Sequence, residues 1–323
     1  MKQPIHPYAV YDSKEAASLL KLDPVTIQRY IRAGKLKATQ LGKVYRISGL
    51  ALLDLMALDS DSIRMSQDRI RQIENATYIK SKAFLLNHER GVQFFKLIDK
   101  TNDLLIAILN PDFNGSTEEE LTLKYIGSRL LASGMTSFHN GLNGYYQISF
   151  LLQRDLLEIT FLLDLFRSCP ERIEEWRNSN DKELKDKFSP LAVRIILDER
   201  DGFKEKKRAE RYQQYCKYAS HMTYSGFTLL TNDSNQIEIG PFYNERKLLN
   251  CVHEVALNYS FAVMTLASLI KSNQLLAQKL AVEHMKLFHG IFKEELPLPP
   301  EMMEKIDKIH KLISDIINNQ KER

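Results

Sequence analysis

Six lysines and arginines fall between Asp23 and Ser48: Arg29, Arg32, Lys35, Lys37, Lys43 and Arg46. Long cationic side chains at this density either form a solvated surface in which acids are interspersed, or neutralise the phosphates of a nucleic acid. No acid lies between residues 24 and 53, so the second use is favoured. Gln28 stands beside Arg29, and these are the side chains whose paired donors and acceptors match base edges: an amide for adenine, a guanidinium for guanine. The chemistry expected of the stretch is therefore base reading by Gln28 and Arg29, with Val25 and Thr26 outward at the start of the same helix. Arg32, Lys35 and Lys37 are expected on phosphates. Lys43, Tyr45 and Arg46 fall on a ribbon that would meet the backbone or the minor groove.

These side chains need elements to hold them. Asp12 with Glu15 three residues later is a capping box, and Ala16, Ala17, Leu19 and Leu20 give the helix that follows an apolar face. Asp23 caps a second helix with Pro24 at its first position, where a missing N–H costs nothing. That helix should run to Ala33 and stop at Gly34. Ile27 and Ile31, with Tyr30, share its inner face and would pack on Leu19 and Leu20. Leu36–Gln40 and Val44–Ile47 read as two strands around a turn at Gly42, and Ser48 caps a third helix through Met56. The order is helix, turn, helix, ribbon, helix.

From Tyr11 to Ile47 this pattern resembles the DNA-binding domain of excisionase-like proteins, small relatives of the MerR winged helix. The residues that carry the resemblance are Glu15-Ala16-Ala17 with Leu19-Leu20, Thr26-Ile27-x-Arg29-x-Ile31-Arg32-x-Gly34-Lys35-Leu36, and Leu41-Gly42-Lys43-x-Tyr45-Arg46-Ile47. The resemblance implies a winged helix-turn-helix and double-stranded DNA as partner.

Charge agrees. Residues 1–58 hold nine basic residues against four acids, a balance of +5, and the rest of the chain holds 36 against 37, a balance of −1. The positive excess lies wholly in the first fifth of a chain whose net charge is only +4. Asp59-Ser60-Asp61-Ser62 reads as a linker, so the expected domains are 1–58 and 63–323. The second domain is helical by period, giving a mainly α protein: a small winged helix-turn-helix followed by a large all-α bundle.

Within residues 63–323 two constellations invite chemistry. Arg154 and Glu158 lie one turn apart in an apolar helix, as a structural pair or as pocket residues. Tyr218, His221 and Ser225 recur at helical spacing, with Tyr224 beside them and Gly226 permitting a neighbouring helix to approach. These stretches resemble HEPN-like helical domains, some of which are metal-independent ribonucleases with four to six residues between an Arg and a His. Arg246 and His253, with six between, match that spacing, whereas Arg154 and His221 do not. Lys204–Arg211 reads as a solvated helix surface. The helix carrying Met302, Ile306, Ile309, Ile313 and Ile316 or Ile317 either closes the bundle or pairs with a second subunit.

Three scattered cysteines, Cys169, Cys216 and Cys251, indicate neither a disulfide framework nor a zinc site and fit a reducing cytoplasm. No metal site and no cofactor are expected, since His284 and His289 lack a completing acid and no phosphate-binding glycine motif occurs. Arg154, Asp155, Glu158 and Asp164 interrupt the most apolar run, Ile148–Phe166, so no membrane span is expected. The leading reading is a sequence-specific DNA-binding protein, a transcription regulator or excisionase-like factor, whose helical domain forms a homodimer and senses a ligand or partner. The rivals are a HEPN-like ribonuclease or anti-phage effector with a DNA-targeting module, and a scaffold of a mobile-element or defence complex.

Overall fold

The computed structural model describes residues 5–42, 44–58, 67–109, 116–204, 207–270, 275–297 and 300–321. The chain divides into two compact units, Met1–Lys80 with Gly240–Tyr243, and Ser81–Ile239 with Asn244–Arg323. The expected linker at 59–62 lies outside the described residues.

The N-terminal unit runs β1 (Val10–Tyr11), α1 (Ser13–Leu20), α2 (Pro24–Arg32), β2 (Thr39–Leu41), β3 (Val44–Ser48) and α3 (Gly49–Leu58). Asp12 accepts from the backbone of Lys14 and Glu15 while the Glu15 carboxylate takes the Asp12 N–H at 2.8 Å, so the capping box forms as expected. Ser48 Oγ accepts from Ala51 N at 3.2 Å and starts α3. The ribbon is larger than expected: β1 adds a third strand, and the sheet order is β1-β3-β2, all antiparallel. The second strand starts at Thr39 rather than Leu36, because Lys35 N and Leu36 N both bond back to Tyr30 O and are still part of the preceding helix stop. Leu36 instead enters the core with Ala16, Ala17, Ile27, Ile47 and Leu52, all essentially sealed from solvent. Burial of each large apolar side chain contributes roughly 1.5–3 kcal/mol.

The second unit is helical. Around its central helix α12 (Glu245–Leu269) pack α5 (Glu89–Leu109), α6 (Glu118–Leu142) and α7 (Tyr146–Ser168). The helix α4 (Gln67–Asn87) precedes them in the chain, its residues up to Lys80 counted with the first unit. Shorter helices α8 (Arg172–Asn178), α9 (Asp181–Phe188), α10 (Pro190–Arg200) and α11 (Lys207–Tyr215) follow α7, and α13 (Leu275–Phe292) and α14 (Pro300–Lys321) follow α12. Thr117 caps α6, its Oγ1 accepting from Glu120 N at 3.1 Å.

Three glycines seven residues apart make the closest seam of the bundle. A methyl group on Gly127 would meet Leu109 and Leu266, one on Gly134 would meet the Tyr259 ring at 2.6 Å, and one on Gly141 would meet Cys251 Sγ at 2.9 Å. The partners on α12 descend as the glycines ascend, so the two helices run antiparallel along a heptad seam.

The tail helix closes on its own chain. Ile306 and Ile313 bury against Val282 with Leu275 and Met285 on α13, and Ile309 faces solvent. The side chains of Met302, Ile316 and Ile317 lie outside the described residues. Thr231 and Ile237 form an isolated antiparallel bridge. Among the described residues no helix is long and apolar enough to cross a membrane.

Candidate nucleic-acid interface

Helix α2 is held from three sides. At its N-terminus Asp23 Oδ1 accepts from Val25 N at 2.8 Å, with Pro24 at the first helical position. Inside, Ile27 is completely buried, and Ile31 and Tyr30 pack on the same cluster as Leu19 and Leu20. At its C-terminus Gly34 adopts φ +69°, Gly34 N bonds Ile31 O at 3.0 Å and Lys35 N bonds Tyr30 O at 2.9 Å. This pair of bonds is the Schellman stop, which needs the left-handed backbone that glycine adopts without penalty.

With the inner face filled, the outer face is set. Val25 is 72% exposed. Arg29 and Arg32 are exposed, while Thr26 and Gln28 are half-buried. Past the stop, Lys35 and Lys37 carry the positive charge on, and Lys35 lies 5.9 Å from the centre of the Tyr30 ring. In the ribbon, Thr39 pairs with Arg46, Gln40 with Tyr45 and Leu41 with Val44. Because strand neighbours point to opposite faces, Arg46 is exposed, Ile47 enters the core, and Tyr45 is half-buried. Gly42, at φ +62°, turns the ribbon. Lys43 lies outside the described residues.

Arg29, Arg32 and Lys37 make no ion pair among the described residues. In the same unit the Asp12 carboxyl is held below its usual range first by the Glu15 backbone N–H, then by that of Lys14 and by the charge of Arg46. An accessible helix face carrying two uncompensated guanidiniums and an amide, with a basic ribbon in the same small unit, suits a polyanion with a groove.

Residues 10–57 match a family model described as a helix-turn-helix domain. The N-terminal module is a helix-turn-helix domain. Over 52 residues the chain is 42% identical to the magnetosome protein MamR of Paramagnetospirillum magneticum and 40% identical to its namesake in Magnetospirillum gryphiswaldense. Each match takes in 16% of this chain, which spans 62% of the length of these curated relatives. No solved structure matches the chain. The resemblance of the helical region to HEPN-like domains finds no support in these comparisons, and neither does a phage-defence or mobile-element setting.

The second unit's candidates do not assemble into one site. Arg154 Nε pairs with Glu158 Oε1 at 3.1 Å, and the Tyr212 hydroxyl donates to the same carboxylate at 2.8 Å. The Tyr212 ring lies 4.0 Å from the Arg194 guanidinium and 5.8 Å from that of Arg154. Burial, then the bond to Glu158, pushes the Tyr212 phenol up to about 12. His221 does not lie on the helix expected for it. The helix turns into a π turn, Cys216–Ser220, and His221 follows in extended backbone, exposed. The cause is Thr223, whose Oγ1 accepts from Gly226 N at 3.2 Å to start a 3-10 turn, Tyr224–Leu230, a local bond that competes with continuing the α-helix. Gly226 thus lies against the backbone of Tyr218, not against a neighbouring helix. Tyr224 is 89% exposed.

Arg246 and His253 share α12 but not an environment. Arg246 is exposed, 3.8 Å from Asp233. His253 turns inward between two carboxylates, Nδ1 at 3.4 Å from Glu254 and Nε2 at 3.2 Å from Glu295. The stretch Lys204–Arg211 is no plain solvated surface either: Arg208 is largely buried, pairing with Asp198 at 2.6 Å and with Asp201, and Arg211 reaches Glu254 and Asn258. A string of alternating charges looks the same whether its arginines point out or in, so only the acids on other helices could have signalled the difference. His284 is sealed in the core, Nε2 at 2.9 Å from Thr101 Oγ1, and burial pushes its pKa down to about 4. Among the described residues no three His, Cys, Asp or Glu side chains converge as metal ligands.

Proposed function

We propose that the helix-turn-helix domain binds double-stranded DNA with α2 in the major groove and the β2–β3 ribbon on the flanking backbone, and that the protein is a sequence-specific regulator or excisionase-like factor. The observation that carries this reading is the outer face of α2, where Arg29 and Arg32 stand accessible and uncompensated while Ile27 and Ile31 hold the helix from behind. Val25 and Thr26 supply methyl groups for a thymine, Gln28 an amide for adenine, and Arg29 a fork for guanine or phosphate. Arg32, Lys35, Lys37, Lys43 and Arg46 serve phosphates, with Tyr45 bracing the ribbon.

One module of this size reads a few base pairs, so useful specificity calls for two copies on one site, joined through the helical unit as a homodimer. Selection of bound duplexes from a random pool tests both parts at once. The expected product is a short motif, repeated or palindromic. Arg29→Ala with Arg32→Ala should abolish binding, and each phosphate deprived of its cation should flatten the dependence of log affinity on log salt by about 0.9. Unchanged duplex affinity in the double variant would sink the reading.

A further inference from the structure

Beside α12 the helical unit holds a cavity of about 540 Å³ bounded by α7, α11 and the π turn. Its floor is a closed network. The Tyr215 hydroxyl donates to Glu254, Asn258 Nδ2 donates to the Tyr215 oxygen at 2.7 Å, and Arg211 Nη2 donates to Asn258 Oδ1 at 3.0 Å and to Glu254 Oε2 at 3.2 Å. Burial alone would raise the Glu254 pKa, but His253, Arg211 and Tyr215 outweigh it and hold the group as a carboxylate. The floor is therefore rigid, with Arg211 and Glu254 paired inside it.

The walls and rim differ from the floor. Phe150 lies beside Tyr215, ring centres 6.2 Å apart, and Tyr218 forms a second, partly exposed aromatic wall. Tyr218 is carried by the π turn, a backbone form that costs stability and recurs at functional sites. Without the extra residue of that turn, Tyr218 would point in another direction. At the rim, Gln214 and Asn250 are exposed primary amides with no hydrogen-bond partner among the described residues. Two π faces supply stacking for a flat ring, and a free amide supplies an adjacent donor and acceptor for a ring nitrogen beside an amino group. Arg211 and His253 both lie against Glu254, and Glu295 takes the other nitrogen of His253, so the two cations of the lining meet two carboxylates and leave no unmatched charge for a ligand.

We propose that this cavity binds a neutral, planar heteroaromatic ligand of purine-nucleoside size, stacked on Tyr218 and read at its edge by Asn250 and Gln214. The inference goes beyond the DNA-binding reading and stands without it. The test is calorimetric titration of the full chain, without DNA, with adenosine and with adenosine monophosphate. Adenosine should bind, the monophosphate no more tightly, and Tyr218→Ala and Asn250→Ala should each weaken adenosine about tenfold. Both residues are solvent-accessible, and an unchanged thermal midpoint in each variant shows that the fold is intact. Absence of adenosine binding at millimolar concentration overturns the proposal. So does binding that neither substitution weakens, or a monophosphate bound about tenfold more tightly than the nucleoside. Loss of duplex binding by Arg29→Ala with Arg32→Ala, measured separately, bears on the DNA reading alone.

Discussion

Two histidines in the helical unit have opposite effects on stability as pH changes. Burial would lower the pKa of His253, but its bonds to Glu254 and Glu295 win and raise it. The charged form is the favoured one in the folded state. Its contribution is full below the unfolded value and is lost as pH rises through the raised folded value. His284 is the reverse: with only burial acting on it, its pKa falls from 6.5 to about 4. Below pH 6.5 the unfolded chain takes up a proton that the folded chain refuses, a loss of about 3 kcal/mol by pH 4. Urea denaturation across pH 4 to 9 should therefore show His253→Gln closing the gap to the parent protein on the alkaline side. In the same series His284→Gln should remove part of the acid-side decline. A pair of variants whose differences from the parent are flat with pH would refute this account. His253 stood out in the sequence only through its distance from Arg246, and that spacing misassigned its partner. The carboxylates that define it, one adjacent and one 42 residues away, are invisible to a one-dimensional pattern.

At the scale of elements, caps and apolar periods were the most legible part of the chain. Asp12, Asp23, Gly34 and Ser48 each do locally what their residue type permits: the first three helices begin on the first, second and fourth of them, and the second helix stops at Gly34, within a residue or two. The failures occur where a hydrogen bond outside the local period wins: Thr223 ending the helix before His221, and the two hydrogen bonds from Lys35 N and Leu36 N to Tyr30 O delaying β2. The seam of Gly127, Gly134 and Gly141 was also missed, because a glycine within a helix is read as a weak point until its partner helix is known. Gly134→Ala measures it. An exposed helix would gain about 1 kcal/mol from the exchange. Here the added methyl falls 2.6 Å from the Tyr259 ring, so a net loss of about 1–3 kcal/mol is expected in chemical denaturation. A gain in stability would mean that the seam is loose.

At the scale of the whole molecule, charge segregation was the most useful feature of the sequence, since it set the first 58 residues, which include the helix-turn-helix domain, apart from the rest of the chain without any structure. What the helical unit does was not legible, because near-neutral helices of mixed charge read alike whatever they bind. The proposed homodimer yields a direct expectation: light scattering on the purified chain should give twice the 37.4 kDa chain mass at micromolar concentration. A footprint should then cover two half-sites a whole number of helical turns apart. A strictly monomeric chain that still selects a long site would overturn the pairing. Any response of such a protein to a bound molecule requires some part of it to shift, and the glycine seam says which part will not. Its repeat is seven residues, about 10.5 Å of helix. Sliding α6 one turn along α12 would put side chains where Tyr259 and Leu266 now meet bare backbone. The pair therefore works as a keyed shaft with widely spaced teeth: it reseats only after a travel too long for an ordinary helix shift, and a signal has to travel through the helices around it.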